Sequence, residues 1–295
     1  MQIPDVQSQT PHFRIPIQQV GVRGVQAPVT LVRGGKRIPA FVSFDAFVGI
    51  PGERRGADLS RLLEAIGAVV SSEHSGLESL SGRVCMEIME RMPYATGIDV
   101  TVASNYFRER DRGAGSYVKY ELLGETRLSG DGEFSRLGVT VLTMNACPCA
   151  METTRALVLD ARPELSDALR EMPSVTHNQR NRVRVITQVS EEHQVEADDL
   201  IDTVEGVVGG ALLSVLKRMD EGKFVYRAHS RPMFVEDIVR EVAASLAERF
   251  RDMPDSYTLE VSSESDESIH PHNAYARIST TYGEIRNIGR EGLRV

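Results

Sequence analysis

The chain has 295 residues, with 34 Lys and Arg against 42 Asp and Glu and a formal net charge of −8. This length predicts one large domain or two ordinary ones with a sizeable core. The acidic balance disfavours broad binding to nucleic acid, which needs clustered Lys and Arg. The first residues do not resemble a signal peptide, and no run of about 18 apolar residues is present. We expect a soluble, cytoplasmic protein that binds neither nucleic acid nor a membrane.

The first half of the chain predicts the element order β-β-α-α-β-β from its apolar periodicity. The Pro- and Gln-rich N-terminus predicts an irregular arm over about the first 25 residues. The predicted elements are strands at 28–33 and 36–50 joined across Gly34-Gly35, helices at 59–69 and 77–92, and strands at 97–108 and 116–128.

The second half predicts the same order, with a helical insertion at 155–172 between its first two strands. The predicted elements are strands at 134–144 and 182–189, helices at 198–218 and 232–250, and strands at 256–263 and 273–282. We therefore predict an α+β fold of two ββααββ modules, residues 1–130 and 131–295. Each antiparallel sheet would carry a helix pair on one face, and open sheet edges favour closure into an oligomeric barrel.

Two of the three cysteines form the motif Cys147-Pro148-Cys149 after a predicted strand. A disulfide across so short a span would be strained. A thiolate is a soft ligand for a transition metal, and a strand end can project it into a cleft. Three roles stay open for this pair: a buried inert thiol, a metal ligand or a nucleophile. Cys85 lies on the apolar face of a predicted helix and is expected to be inert.

Polar residues cluster in His177-Asn178-Gln179-Arg180, just before a predicted strand. An imidazole beside a guanidinium suits a metal ligand next to an anion clamp, although a solvated loop with a capping Asn is the alternative. In Lys217-Arg218-Met219-Asp220-Glu221, at the end of a predicted helix, the helix dipole explains the basic residues. The dipole does not explain the two carboxylates there, so a metal-binding carboxylate gains weight.

Three further groups are candidates for chemistry. Glu236 lies in the first turn of the last predicted helix, where either the dipole or a function explains it. The polar turn from Glu267 to His272 favours His270 as an acid/base with Glu267 as its orienting partner. Arg61 belongs to a modest basic patch with Arg54 and Arg55 that could meet phosphate. Surface roles are expected for His12, His74, His193 and His229.

Together these segments resemble the GTP cyclohydrolase type IB family, in the family's order and over most of the chain. The matching stretches are Cys147-Pro148-Cys149, His177-Asn178-Gln179-Arg180, Leu216 to Glu221, Phe234-Val235-Glu236-Asp237 and Glu267 to Tyr275, with a weaker match from Arg55 to Arg61. The resemblance implies the tunnelling fold, in which two ββααββ modules per chain assemble into a homodimeric or homotetrameric barrel with active sites at subunit interfaces.

The resemblance also implies one divalent metal per active site, bound by Cys147, His177, Glu221 and a water. Three protein ligands and one open position are typical of a catalytic metal. Such a donor set accommodates Fe(II), which we favour, or Zn(II) or Mn(II). The implied reaction is attack by activated water on the imidazole carbon of the guanine of GTP, followed by ring opening and release of formate.

The remaining roles also follow from the resemblance. Cys149 would assist proton transfer or contact the purine, and His270 with Glu267 would move protons. Glu236 would accept the purine's amide and amino groups. The triphosphate would be bound by basic residues at four positions: Arg180, Lys217, Arg218 and Arg61.

The segment between Cys149 and His177 is long, as in the archaeal branch of the family. This favours 7,8-dihydroneopterin 2′,3′-cyclic phosphate, with pyrophosphate, as the product and first intermediate of methanopterin synthesis. The alternative product is 7,8-dihydroneopterin triphosphate for folate synthesis. Two rival functions are the tunnelling-fold nitrile reductase of queuosine synthesis and a non-catalytic purine-binding protein.

Overall fold

The computed structural model describes residues 5–33, 35–111, 116–130 and 132–292. In chain order its elements are β1 (Ile17–Arg33), β2 (Lys36–Ile50), α1 (Leu59–Val70), β3 (Glu73–His74), α2 (Leu77–Arg91), β4 (Ile98–Asp111), β5 (Ser116–Ser129), β6 (Gly132–Ala146), α3 (Pro148–Ala161), a 3-10 turn (Pro163–Leu165), α4 (Ser166–Glu171), β7 (Asn178–Val189), α5 (Ala197–Val208), α6 (Arg218–Ser230), α7 (Val235–Arg249), β8 (Thr258–Ser265), β9 (Ala274–Thr281) and α8 (Tyr282–Gly292). The α+β prediction is confirmed.

The chain divides into two compact units that interleave along the sequence. The first contains Met1–Tyr106, Glu121–Gly138 and Gln188–Gln194, and the second contains Phe107–Tyr120, Val139–Thr187 and Val195–Val295. The strands β4, β5, β6 and β7 contribute residues to both units. The modules of residues 1–130 and 131–295 stay a prediction.

In the first unit, β2 pairs antiparallel with β1 on one side and with β4 on the other. Side chains on β2 alternate as predicted between Val42 and Val48, with the apolar ones buried, whereas Ile38 is exposed. Helices α1 and α2 pack on each other through buried residues such as Leu62 and Ile88. Alternation on the strand and helical spacing on the two helices therefore place the core of this unit between them.

The prediction of an irregular N-terminal arm is wrong from Ile17 onward. Strand β1 begins there and pairs Ile17 with Ile50 and Val20 with Val48. The register shifts between Ile17 and Val20 and again between Val22 and Val25, so the strand has no regular alternation that a periodicity reading could find. Met1 to Pro4 of the arm, and Gly34 of the predicted turn, lie outside the described residues.

In the second unit, β8 pairs antiparallel with β7 and β9, and α7 packs on α5, β8 and β9. The predicted helix at 198–218 is wrong beyond Val208. Gly209 follows α5 with a φ of 83° and Gly210 has a φ of 117°, so the helix ends in a left-handed turn. A separate helix, α6, begins at Arg218, and α8 follows β9. No helix among the described residues is long and apolar enough to cross a membrane.

Candidate active site

The structure brings Cys147 and His177 together at the end of β6. The backbone N–H of Cys147 donates to the carbonyl oxygen of His177 over 3.1 Å. The hydroxyl of Thr176 donates to the carbonyl oxygen of Cys147 over 2.7 Å. Two hydrogen bonds therefore hold the backbones of these two predicted ligand residues side by side, although the whole insertion separates them in sequence.

Cys147 is the N-cap of α3, so the insertion is helical from Pro148 and not only from the predicted residue 155. Proline is favoured at the first position of a helix, where no N–H is needed. The Cys147 sulfur accepts a hydrogen bond from the backbone N–H of Ala150 over 3.4 Å. A helix N-terminus stabilises negative charge, which suits a thiolate. Cys149, in the first turn, is exposed.

Cys85 gives a clear contrast among the thiols. It is buried on α2 and donates to the carbonyl oxygen of Thr126 over 3.4 Å. Burial raises the pKa of the Cys85 thiol, so it stays protonated and inert.

Three oxygen atoms gather around Nδ1 of His177. They are Oε1 of Gln179 at 2.9 Å, Oγ of Ser268 at 3.3 Å and Oε2 of Glu267 at 3.8 Å. The His177 and Glu267 side chains are each only 12% exposed. Because the acceptors lie at Nδ1, Nε2 is the ring nitrogen left to take a ligand.

The structure places Glu267 beside His177, in the connection between β8 and β9. His270, three residues further on, is exposed and stacks on His272 with ring centroids 5.2 Å apart. The orienting role of Glu267 toward His270 stays a prediction, whereas its closeness to His177 is a contact that the sequence pattern did not indicate.

The segment from Lys217 to Glu221 begins a helix, so the prediction that it ends one is wrong. Lys217 is the N-cap of α6, and Asp220 and Glu221 lie in its first turn. The dipole therefore favours the carboxylates and disfavours Lys217 and Arg218, the reverse of the prediction. Side chains of α6 face a groove shared with the residues just before His177. The groove is lined by residues including Arg218, Glu221, His229, Pro173, Ser174 and Val175.

Glu236 lies exposed in the first turn of α7. Its neighbour Asp237 accepts the backbone N–H of Phe234 over 3.1 Å and so caps this helix. Because Asp237 already fulfils the capping role, capping does not account for Glu236.

Two predicted phosphate-binding arginines have different surroundings. Arg180 is exposed on β7, in the second unit. Arg61 belongs to the first unit, where its guanidinium donates to the carbonyl oxygen of Arg91 over 2.9 Å and lies 3.8 Å from Asp58. The surface role predicted for His74 is wrong, because it is 2% exposed and its Nε2–H donates to the carbonyl oxygen of Val69 over 3.0 Å.

The backbones of two predicted metal ligands, Cys147 and His177, are joined directly by a hydrogen bond. A thiolate and an imidazole with a free Nε2 fit a borderline-soft divalent ion such as Fe(II) or Zn(II). Across the part of the chain that the structure describes, no group of three or more His, Cys, Asp and Glu side chains is gathered closely enough to hold a metal. Glu221 is therefore not brought together with Cys147 and His177 in this arrangement.

A buried polar network behind Cys147 and His177 was missed by the sequence analysis. Asn181 on β7 accepts from Ser263 over 3.0 Å, and the single hydroxyl proton of Ser265 is shared between the Oδ1 atoms of Asn181 at 3.4 Å and Asn145 at 3.3 Å. Asn145 donates to the carbonyl of Met233, just before α7. The available signal was the alternation on β7, where the polar Gln179 and Asn181 occupy the inward positions ahead of Val183.

A family model described as type I GTP cyclohydrolase folE2 matches residues 3–276. The chain belongs to this family of GTP cyclohydrolases. The cyclohydrolase is 42% identical over 287 residues to the GTP cyclohydrolase MptA of Thermoplasma acidophilum, covering 96% of this chain and 97% of the relative. It is 33% identical over 304 residues to GTP cyclohydrolase MptA of Methanoculleus marisnigri, covering 97% of each. The enzyme prediction is confirmed, and the nitrile reductase and non-catalytic alternatives are not supported.

Solved structures show the fold of the cyclohydrolase. Uricase from Arthrobacter globiformis superposes with a TM-score of 0.56 at 10% identity, covering 90% of this chain and 93% of that one. A hyperthermostable mutant of Bacillus sp. TB-90 urate oxidase gives a TM-score of 0.54 at 11% identity, covering 90% and 98%. The predicted tunnelling fold is thereby confirmed.

Proposed function

We propose that the cyclohydrolase opens the guanine imidazole ring of GTP with a divalent metal, releases formate, and yields 7,8-dihydroneopterin 2′,3′-cyclic phosphate and pyrophosphate. The observation that carries the proposal is the hydrogen bond between the backbones of Cys147 and His177, with Nδ1 of His177 facing Gln179 and Nε2 without a hydrogen bond to any described residue. The similarity to MptA relatives and the long helical insertion between β6 and β7 support the cyclic product. 7,8-Dihydroneopterin triphosphate, for folate synthesis, is the alternative product.

The metal would be held by Cys147, His177 and Glu221, with Fe(II) favoured and Zn(II) or Mn(II) as alternatives. When bound, such an ion makes water acidic enough to supply hydroxide near neutral pH. Within α6, all of whose residues the structure describes, no side chain is buried. Because moving such a helix breaks little packing, we infer that α6 shifts to bring Glu221 to the other two ligands.

The protons would be moved by side chains around this centre. His270, exposed between β8 and β9, would protonate the ring nitrogen that leaves when the imidazole opens and serve again in the ribose rearrangement. Glu267 would support His270 or His177 according to the stage of the reaction. Cys149, exposed two residues after the proposed ligand Cys147, would contact the purine or relay a proton.

Substrate recognition would divide between a carboxylate and several cations. Glu236 would accept two hydrogen bonds from the amide N–H and the amino group of guanine. Lys217 and Arg218 oppose the dipole of α6, so a helix-stabilising role does not explain them, and backbone N–H groups at the same helix start add to the attraction for phosphate. Arg180 and Arg61 complete the proposed set for the triphosphate.

We also propose a homodimer or homotetramer with active sites at its interfaces, working in the cytoplasm. Strand β9 ends the strand order, after β8, and its alternate residues are exposed. An unpaired edge of this kind favours pairing with a second copy.

The experiment measures formate release from GTP, with the product identified by mass spectrometry after anaerobic loading of the metal. Cys147→Ala is expected to lower formate release at least about 100-fold, because losing a ligand costs more than the 10- to 100-fold typical of a ligand's partner. Cys85→Ala is the matched control and keeps its activity. Undiminished turnover by Cys147→Ala, or by wild-type protein stripped of metal, contradicts the proposal. Detection of the triphosphate product selects the alternative.

A further inference from the structure

Gln179 is a buried polar residue that none of the roles above uses. It lies on β7, 7% exposed, with its side chain on the same face of the strand as Asn181 and Val183. Its neighbour Arg180 points to the opposite, exposed face. A glutamine at an inward position needs polar partners, since an unpaired amide in the interior costs free energy.

The partner of this amide is the imidazole of His177, two residues earlier. Oε1 of Gln179 lies 2.9 Å from Nδ1, the shortest of the three oxygen contacts to that nitrogen. An amide oxygen can only accept a hydrogen bond, and the Glu267 carboxylate 3.8 Å from the same nitrogen is also an acceptor, so both groups favour a proton on Nδ1. A neutral imidazole protonated at Nδ1 has its lone pair at Nε2.

The other two oxygen atoms are placed less firmly. Ser268 and Glu267 belong to the connection between β8 and β9, and they lie 3.3 and 3.8 Å from Nδ1. Gln179, by contrast, is part of a paired strand, in which the next inward residue, Asn181, is opposite Ser265 of β8. Gln179 is therefore the acceptor whose position is set by the sheet.

We propose that Gln179 is the positioning residue that keeps His177 in the Nδ1–H tautomer and orients Nε2 toward the metal. This inference rests on the proposed metal site. It assigns Gln179 no contact with substrate, because the residue acts through the ring of His177. Ligating histidines commonly need such a partner at the second ring nitrogen, and its loss costs about 10- to 100-fold in metal affinity.

The first test reads the tautomer in metal-free protein by long-range ¹H–¹⁵N correlation on histidine-labelled samples, with His177→Asn used to assign the ring signals. Wild-type protein is expected to show the Nδ1–H form of His177. Gln179→Leu, which has similar volume and no acceptor, is expected to shift His177 toward a mixture of tautomers. A wild-type ring protonated at Nε2 overturns the inference.

The second test measures the affinity for Co(II) alone, by its absorption spectrum in competition with a chelator. Gln179→Leu is expected to bind about 10- to 100-fold more weakly, and Gln179→Glu to bind close to wild type because a carboxylate also accepts from Nδ1–H. Gln194→Leu, at an exposed loop position, is the control for the general effect of replacing a glutamine by leucine. Equal affinity of Gln179→Leu and wild type overturns the inference, and thermal unfolding of each variant shows that it is folded.

The two hypotheses fail in different ways. If Cys147→Ala still released formate from GTP, the proposed metal site would be wrong whatever the tautomer of His177. If Cys147→Ala is inactive while Gln179→Leu keeps both the tautomer and the Co(II) affinity, the metal site holds and the role of Gln179 is wrong.

Discussion

The two halves of the chain share an element order but differ in how their helices are connected. In the first, α1 and α2 are separated only by residues 71–76, which contain the two-residue strand β3. In the second, residues 209–234 separate α5 from α7 and include the whole of α6. The connection from β6 to β7 contains a further helical insertion. The corresponding connection in the first half, from β1 to β2, is a short turn in which Gly35 is the described residue.

The difference shows where the chemistry is added. Cys147 begins one insertion of the second half, His177 ends it, and Glu221 lies on the other. The shared plan supplies packed strands and helices, which tolerate little change because cores are densely packed. Connections tolerate change more readily, so functional side chains concentrate there.

The largest effect is expected for Glu221→Gln on α6. Removing a proposed metal ligand should lower formate release and metal content at least about 100-fold, whereas stability should fall only by the small dipole contribution of one exposed carboxylate in the first turn. Asp220→Asn is the matched control in the same helical turn, and it should lose only the dipole contribution of about 0.3–1 kcal/mol. Equal losses in both variants would show that the first turn matters only for helix stability. Metal analysis and formate assays check the pair.

A smaller effect is expected for Glu236→Gln on α7. A hydrogen bond to a charged group contributes about 1.5–3 kcal/mol, so the KM for GTP should rise about 10- to 100-fold with kcat less affected. The preference for GTP over inosine triphosphate, which lacks the amino group, should shrink as well. The control Asp237→Asn weakens the cap seen at Phe234 and should lower stability by about 1 kcal/mol without changing that preference. An unchanged preference in Glu236→Gln would remove it from the purine site.

The smallest effect is expected in the first unit, at the buried His74. Burial lowers the pKa of His74, helped by the nearby charge of Arg83, and its Nδ1 has no hydrogen-bond partner among the described residues. The unfolded chain therefore binds this proton at a higher pH than the folded protein does. The free energy of unfolding should fall as the pH drops below about 6.5, and should level off below the folded-state pKa.

Urea unfolding between pH 7.5 and 5, buffer by buffer, measures this dependence. His74→Gln should flatten it, because glutamine does not titrate, while His12→Gln, at an exposed position, should leave it unchanged. If the free energy of unfolding of both variants changed equally with pH, His74 would not be the group that controls this dependence.

Most of the fold could be predicted because strong periodicity marks its elements. Strand β2 and helices α1, α2 and α7 follow their apolar patterns closely, since one face of each is buried. The start of β1 could not be predicted, because its register shifts break the alternation. The end of α5 was also missed, because the apolar spacing continues through Ala211, Leu212 and Val215 past the two glycines that end the helix.

The candidate site was predictable in its residue types but not in its contacts. Cysteine, histidine and carboxylate side chains stand out in a sequence because each suits metal chemistry. Which oxygen atom lies at Nδ1 of His177 depends on how β7 and the β8–β9 connection meet, and no local pattern carries that information. The buried amides Gln179 and Asn181 looked like loop residues because the strand begins at Asn178, four residues before its predicted start.

The hydrogen bond from the Cys147 N–H to the His177 carbonyl has a consequence for how this family can diverge. Together with the bond from the Thr176 hydroxyl to the Cys147 carbonyl, this hydrogen bond holds the two ends of the segment 148–176 next to each other. The entropic cost of closing a loop grows slowly with its length, by about 0.6 kcal/mol for each doubling. Residues can therefore be gained or lost between these ends while the backbones of Cys147 and His177 stay hydrogen-bonded to each other. The length of this segment can thus differ between the branches of the family, as the proposed difference in product requires, with the same thiol and imidazole at its two ends.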